Sequence, residues 1–530
     1  MSAPPLVREP SDLGGFSEDN IEPVRSPEKA SAAAGLNRQS FARGGLLNLI
    51  GAGISGVSTF AMVLVLTRRI GVEQVGAFMV SVAAVTIVAQ TTQLGANTGL
   101  VRFVPMMRVR GQQSALPELL PLVLGVVATA GLVGGLVMYL TATGLASLLG
   151  SDQDAQLVVD YMRSMAFVVP SAAVFLVAAQ GSQAFGTMTP AVLVDKIGRS
   201  VVQVVAVGLL ATSGVTAIVL GYGAVYSVGV VVLGFWIFRS ARNTRTNSLS
   251  SAPPVVEFWK FSLPRAVSTT FQVTVLWADT ILIGFLRSSE EAAIYSVATR
   301  YLVIGHLFIG ALLQAMGPRL AAHLANRDNA RAKSIYQRSA SWVVAAVWPP
   351  YLVIAIFAPW LLQIFGTEFT AGATALRIVA VAMMVAAACG AVDNVLLMAG
   401  RSWISVANWG MALVVNIGLN IWLIPLWGIE GAAVAWAASI LVRNVIPVVE
   451  VWYLFGIHPF STIYAKLAAA ALVTVGAGSL FGAVVFGENL AGFAAGAVPG
   501  GFIYLGVLFS LRKSIFGADA GEPSEPTLKP

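Results

Sequence analysis

The chain of 530 residues has a single cysteine, Cys389, and three histidines, His306, His323 and His458. One cysteine inside an apolar run excludes an intrachain disulfide and a thiolate metal cluster, and the scattered histidines exclude a His-Glu-x-x-His zinc site. No Gly-Lys pair occurs. A phosphate-cradling Gly-x-x-x-x-Gly-Lys-Ser/Thr loop is therefore missing, and any work must draw on a gradient, the membrane potential or consumption of product. Charge is scarce as well: 11% of residues are charged, against about 25% in an ordinary soluble domain. With 57% hydrophobic residues and a mean hydropathy of +0.80, the composition is that of an integral membrane protein. The net charge of +7 is explained by loop arginines set against an anionic cytoplasmic leaflet, so no nucleic-acid partner is expected. No metal or cofactor is expected either.

Residues 1–40 are rich in Ser, Pro, Ala and acidic residues, and read as a disordered cytoplasmic tail. The first apolar run starts near Gly45, too far along and too long for a secretory signal peptide. From there fourteen apolar segments follow, with cores from 45–66 and 75–95 to 463–485 and 491–511. Each is about 20 residues, the length that crosses the hydrocarbon as a helix. Helices are required because a spanning segment must satisfy its own backbone, and the alternating pattern of barrel strands is missing. With a cytoplasmic amino terminus, 23 of the 32 Lys and Arg residues fall on the inner side, which predicts both termini in the cytoplasm and a multi-pass protein of the cytoplasmic membrane.

A weak internal repeat is offset by 217 residues: Glu73 aligns with Glu290, Phe78 with Tyr295, Val80 with Val297 and Arg102 with Arg319. Six spans per copy, an even number, give both copies the same orientation and an axis along the membrane normal. The expected architecture is all-α: two six-helix lobes related by a pseudo-twofold plus two extra C-terminal helices. In residue numbers this is a tail (1–40), an N-lobe (41–240), a cytoplasmic linker (241–257), a C-lobe (258–455), spans thirteen and fourteen (456–512) and a second cytoplasmic tail (513–530).

Three stretches carry a resemblance: QSFARGGLLNLIGAGISGVSTFAMVLVLTRRIGVEQVGAFMV (39–80), GANTGLVRFVP (95–105) and LLMAGRSWISVANWGMALVVNIGLNIWLIPLWGIEGAAVAWAAS (396–439). The last contains Ile424, Pro425, Gly428, Ile429, Gly431, Ala432 and Ala433 in an Ile-Pro-x-x-Gly-Ile-x-Gly-Ala-Ala pattern. Together they are similar to bacterial oligosaccharide flippases, the polysaccharide biosynthesis type, of the multidrug/oligosaccharidyl-lipid/polysaccharide (MOP) superfamily. The resemblance covers about residues 39–512. It implies a carrier, not an enzyme, that moves a lipid-linked oligosaccharide from the inner to the outer face beside polysaccharide polymerases and glycosyltransferases. The first two spans lack the arginines of lipid II flippases in that superfamily, which disfavours lipid II as cargo. The alternatives are a multidrug/cation antiporter of the superfamily, or a membrane glycosyltransferase or polymerase, against which the short outer loops speak.

The charges within the spans are the candidate site residues. Asp279, about seven residues before the outer end of span seven, and Arg300, about ten residues into span eight, are expected at matching depth. They pair either as a structural clamp or in a wet cationic chamber where Arg300 meets a phosphate and Asp279 sets its rotamer or exchanges a cation. The repeat offset places Met62 and Ala83 opposite them, so the fold itself does not demand ions there. Asp195 and Arg199 are spaced i, i+4 and can pair on one helix face, with Lys196 off it. Arg265 and Asp393 sit near the inner ends of spans seven and ten, and Arg43, Arg102 and Arg319 at inner mouths. Together they form a positive cytoplasmic vestibule, or simply obey the positive-inside rule. His306 reads as a core histidine, and Asp152 with Asp154 as a helix start rather than a metal-diphosphate motif.

Overall fold

A computed structural model describes residues 27–149, 153–243, 253–305, 308–310, 320, 323–324, 326 and 328–516. Two compact units are defined, Met1–Leu46 and Leu47–Pro530. In the first, the described residues are helical from Pro27, where the tail was expected to be disordered. The stretch carries several alanines, the strongest helix formers. In the second, every regular element among the described residues is helical.

The helices of the first repeat are α1 (Leu47–Arg69), α2 (Val72–Thr92), α3 (Ala96–Val109), α4 (Leu116–Leu149), the bent pair α5 (Gln153–Ala166) and α6 (Val169–Gln183), α7 (Ser200–Leu210) and α8 (Val215–Asn243). The second repeat has α9 (Val255–Leu286), α10 (Ser289–Thr299), α11 (Asn329–Ile356), α12 (Ala373–Cys389), α13 (Val392–Met398) and α14 (Ser402–Phe455). Then come α15 (Thr462–Ala470), α16 (Ala477–Phe486) and α17 (Val498–Phe516). Starts are marked by capping: the Glu291 N–H donates to Ser288 Oγ (3.1 Å), Arg331 N–H to Asp328 Oδ1 (3.1 Å) and Tyr464 N–H to Ser461 Oγ (3.1 Å).

Eleven helices among the described residues are long and apolar enough to cross a membrane, or twelve if the pair Gln156–Ala166 and Val169–Gln183, bent by 52°, is one span. Two features separate that number from the fourteen expected segments. The eleventh and twelfth segments are two helices that meet at a non-helical kink at Gly428 (φ 56°), and they are counted above as the single stretch α14. The fifth segment falls on a π-helical stretch, Ala191–Arg199, running into α7, and its Asp195, Lys196 and Arg199 break the apolar run.

The repeats meet closely at both ends. At one end α2 crosses α10, its repeat equivalent, so tightly that a Cβ on Gly76 would lie 1.7 Å from the Ser289 carbonyl oxygen. Phe60 stacks edge-on against Phe365 (4.7 Å) and Tyr301 (5.6 Å), and Arg68 Nη2 donates to the Ile364 carbonyl (2.7 Å). At the other end the chain turns between α2 and α3 through Gly95 (φ 72°), where a Cβ would meet the Ser262 carbonyl oxygen of α9 at 2.1 Å. Only glycine satisfies that backbone angle and that approach together. Phe103 packs on Phe258 (5.4 Å) and Phe261 (6.0 Å), and the guanidiniums of Arg102 and Arg265 lie 4.2 and 4.8 Å from the Phe261 ring centre.

Candidate functional site

Asp279 lies between the closed ends, on α9, and is 1% exposed. A carboxylate in so apolar a place costs several kcal/mol unless donors replace its water. Three do: Tyr295 Oη of α10 (2.8 Å), and the Nδ2 groups of Asn416 (2.9 Å) and Asn420 (2.7 Å) of α14. Asn420 Nδ2 also donates to the Asn416 carbonyl (2.8 Å). All three side-chain donors are neutral. The Oδ1 atoms of Asn416 and Asn420 are buried and accept no hydrogen bond among the described residues.

The expected pairing of Asp279 with Arg300 is not formed. Asp279 stands seven residues before Leu286, the end of α9, whereas α10 starts at Ser289 and brings Tyr295 to six residues and Arg300 to eleven. Tyr295 is thus level with the carboxylate, and Arg300 lies about one turn, roughly 5–6 Å, deeper. Arg300 turns instead to the first repeat. Its Nη2 is 3.2 Å from Met79 Sδ and its guanidinium 5.4 Å from the Trp277 ring centre, while Nε is buried without a hydrogen-bond partner. Among the described residues it makes no ion pair.

Arg300 lines a cavity of ≈ 100 Å³ with Trp277, Thr280, Tyr295 and Thr299. On the far side of Leu276 and Trp436, which line both, a second cavity of ≈ 260 Å³ is bordered by Gln90, Thr269, Gln272 and Arg443. Arg443 matches Arg300 in kind: its guanidinium lies 4.4 Å from the Trp409 ring centre and its Nε is buried without a partner. The single wet chamber enclosing Asp279 is therefore replaced by two small hollows, each with a tryptophan-stacked arginine. Asp279 lines neither of them. Drug-sized pockets run to about 300–1,000 Å³, so neither of these two hollows has room for a glycolipid.

The other candidates fall in separate places. Arg199 Nε and Asp195 Oδ1 pair at 2.7 Å, Arg199 Nη1 donates to Gln203 Oε1 (3.0 Å), and Gln203 Nε2 donates to the Tyr222 carbonyl (3.1 Å). The 217-residue offset carries Arg199 and Gln203 onto Asn416 and Asn420, so both repeats hold polar groups at one register. Asp393 accepts from Ser405 Oγ (2.5 Å) and Trp409 Nε1 (3.4 Å). Arg102 and Arg265 are exposed at the Gly95 end. Arg319, His306 and Asp152 lie outside the described residues, as do the side chains of Arg43 and Asp154. Sequence reading missed Tyr295, Asn416, Asn420 and Arg443 as site residues. The signal was present in Asn-x-x-x-Asn within an apolar run and in Tyr295 aligned with Phe78, which lacks the hydroxyl.

A family model described as polysaccharide biosynthesis protein matches residues 41–323. The chain belongs to this family. A second model, MatE, matches residues 264–422. The probable low-salt glycan biosynthesis flippase Agl15 of Haloferax volcanii is 27% identical over 207 residues, which cover 38% of this chain. The match spans 42% of that relative's length. Among solved structures, the lipid II flippase MurJ in an inward closed conformation aligns with a TM-score of 0.69 at 12% identity, over 89% of this chain and 100% of that one. A MOP superfamily transporter from Pyrococcus furiosus aligns with a TM-score of 0.54 at 14% identity, over 82% and 96%. At such identities these structures establish the fold, which is that of the MOP superfamily. The resemblance read from residues 39–80, 95–105 and 396–439 is thereby borne out.

Proposed function

We propose that the chain flips a lipid-linked oligosaccharide across the cytoplasmic membrane, with both termini in the cytoplasm, by alternating access of two six-helix lobes. The observation that carries this reading is Arg300, a guanidinium with no carboxylate partner among the described residues, held between repeats that close on each other at both ends. Sugar hydroxyls stripped of water cost several kcal/mol apiece in hydrocarbon, so unaided transfer is prohibitive and a polar path must be supplied. Opening the Gly95 end exposes Arg300 and Arg443 to a phosphate or diphosphate from the inner leaflet, which guanidinium binds bidentately. Arg102 and Arg265 stand at that entrance, with Arg43 and Arg319 as further vestibule candidates. Closing it and parting Gly76 from Ser289 delivers the sugar outside. Glycosyltransferases supply the cargo and a polymerase consumes it, which gives the cycle its direction.

Asp279 is the group through which a cation or proton gradient would act, because its donors are neutral and two amide oxygens beside it are unused. The MatE match favours the second reading, a multidrug/cation antiporter of the same superfamily. Arg300→Ala and Asp279→Asn separate the readings. Under the flippase reading both variants insert normally and lose surface polysaccharide. Normal export by both refutes the assigned roles, and a change in drug tolerance with polysaccharide intact favours the antiporter.

A further inference from the structure

The second span is broken between α2 and α3 by a turn in which Leu94 has φ 52°, the one positive φ outside glycine among the described residues, and Gly95 has φ 72°. For a residue with a Cβ that backbone is strained, because the Cβ crowds the following carbonyl oxygen. Leucine has no polar atom with which to bond the turn locally, as asparagine would. Two further costs sit at the same place. Gln93 is 1% exposed and its Oε1 accepts no hydrogen bond among the described residues, and Ser262 Oγ, on the α9 residue that Gly95 packs against, is likewise buried without a partner. An unanswered polar atom in a dry contact costs more than a made hydrogen bond contributes. All three costs belong to the closed Gly95 end, and the two polar atoms are relieved when water enters it. The turn also reaches the site, since Gln93 Nε2 donates to Gln90 Oε1, and Gln90 borders the ≈ 260 Å³ hollow of Arg443.

We infer that the Leu94 turn, in the alternating access proposed above on which this rests, biases the empty carrier against closing its Gly95 end. The contacts of Phe103 with Phe258 and Phe261, and of Arg102 and Arg265 with the Phe261 ring, hold that end shut. They act against a strained backbone and two dry polar atoms. The balance therefore shifts toward closing when something else stabilises the closed form. An anion beside Arg443, whose Nε is unpaired among the described residues, is such a stabiliser. The bias thus disfavours passage of the empty carrier, and its source is the backbone at Leu94 rather than the packing of the half-buried leucine side chain.

The test places a thiol at Thr270→Cys, where the native hydroxyl of α9 meets that of Thr91 across the repeats at 3.4 Å. The full chain, without cargo in phosphatidylcholine nanodiscs, is labelled with a water-soluble maleimide. The labelling rate gives the ratio of accessible to protected forms, with Gly95→Val, which cannot close on Ser262, setting the fully accessible rate. Leu94→Gly, free of the left-handed penalty, is expected to lower that ratio by about tenfold. Leu94→Asn should lower it severalfold, because asparagine tolerates the left-handed region. Leu94→Ala removes the side chain but keeps the Cβ and its strain, and should stay within about twofold of the native ratio. Equal ratios for Leu94→Gly and Leu94→Ala would overturn the inference by assigning any effect to packing. A series that is uniform and fast, like Gly95→Val, would overturn it while leaving a moving end. A series that is uniform and slow, Gly95→Val included, would overturn alternating access as well, since the end would then never open.

Discussion

Replacing Tyr295 with phenylalanine removes one oxygen atom and tests the account of Asp279 most directly. Phenylalanine is also what the first repeat carries at the equivalent position, Phe78, so the ring has a precedent in the same packing. The lost contact is a 2.8 Å hydrogen bond to a carboxylate that is 1% exposed. Hydrogen bonds to charged groups contribute about 1.5–3 kcal/mol, whereas polar contacts between membrane helices average only about 0.6 kcal/mol. With the carboxylate ionised and no water to replace the phenol, the cost belongs in the upper class, about 2 kcal/mol. A double-mutant cycle isolates it: Tyr295→Phe, Asp279→Asn and the pair together, each unfolded at equilibrium in mixed micelles. A coupling of about 1.5 kcal/mol or more is expected. If the coupling falls below roughly 0.5 kcal/mol, the ordinary scale of uncoupled sites, Tyr295 is not compensating a buried charge and the reasoning fails.

Two further perturbations address the closed ends. Gly76→Val places a side chain where a Cβ alone would lie 1.7 Å from Ser289; it should prevent that end from closing, abolish export and leave an engineered thiol near Phe60 labelled continuously. Cys389, the native thiol, is buried and gives little background. Phe261→Leu removes the ring that Arg102 and Arg265 share; at about 0.5–1 kcal/mol per exposed cation–π contact it should raise thiol labelling at that end severalfold, and unchanged labelling would count against a gate there.

The membrane class, the helical architecture and the presence of an ionic group within span seven were legible in composition and spacing, and the superfamily in the resemblance carried by residues 39–80, 95–105 and 396–439. Spacing also foresaw the Asp195–Arg199 pair, because i, i+4 neighbours meet on any helix. It failed for Asp279 and Arg300 by one turn. The depth of a residue after a hairpin depends on where the next helix starts, and the Ser288 cap fixes that start at Ser289. Asn416 and Asn420 were out of reach for a different reason: about 140 residues separate them from Asp279, and no periodicity connects elements that far apart.

The sequence by itself determined that the chain lies in a membrane as helices, since a backbone stripped of water must bond within its own segment. It also carried a weak repeat at an offset of 217 residues. Only the tertiary structure decided which partners the buried charges have. Asp279 is answered by a phenol and two amides, and Arg300 by a thioether and an indole, because partnership depends on which helices cross at a given depth. That crossing is set by close packing at Gly76 and Gly95, where a missing side chain lets two backbones touch.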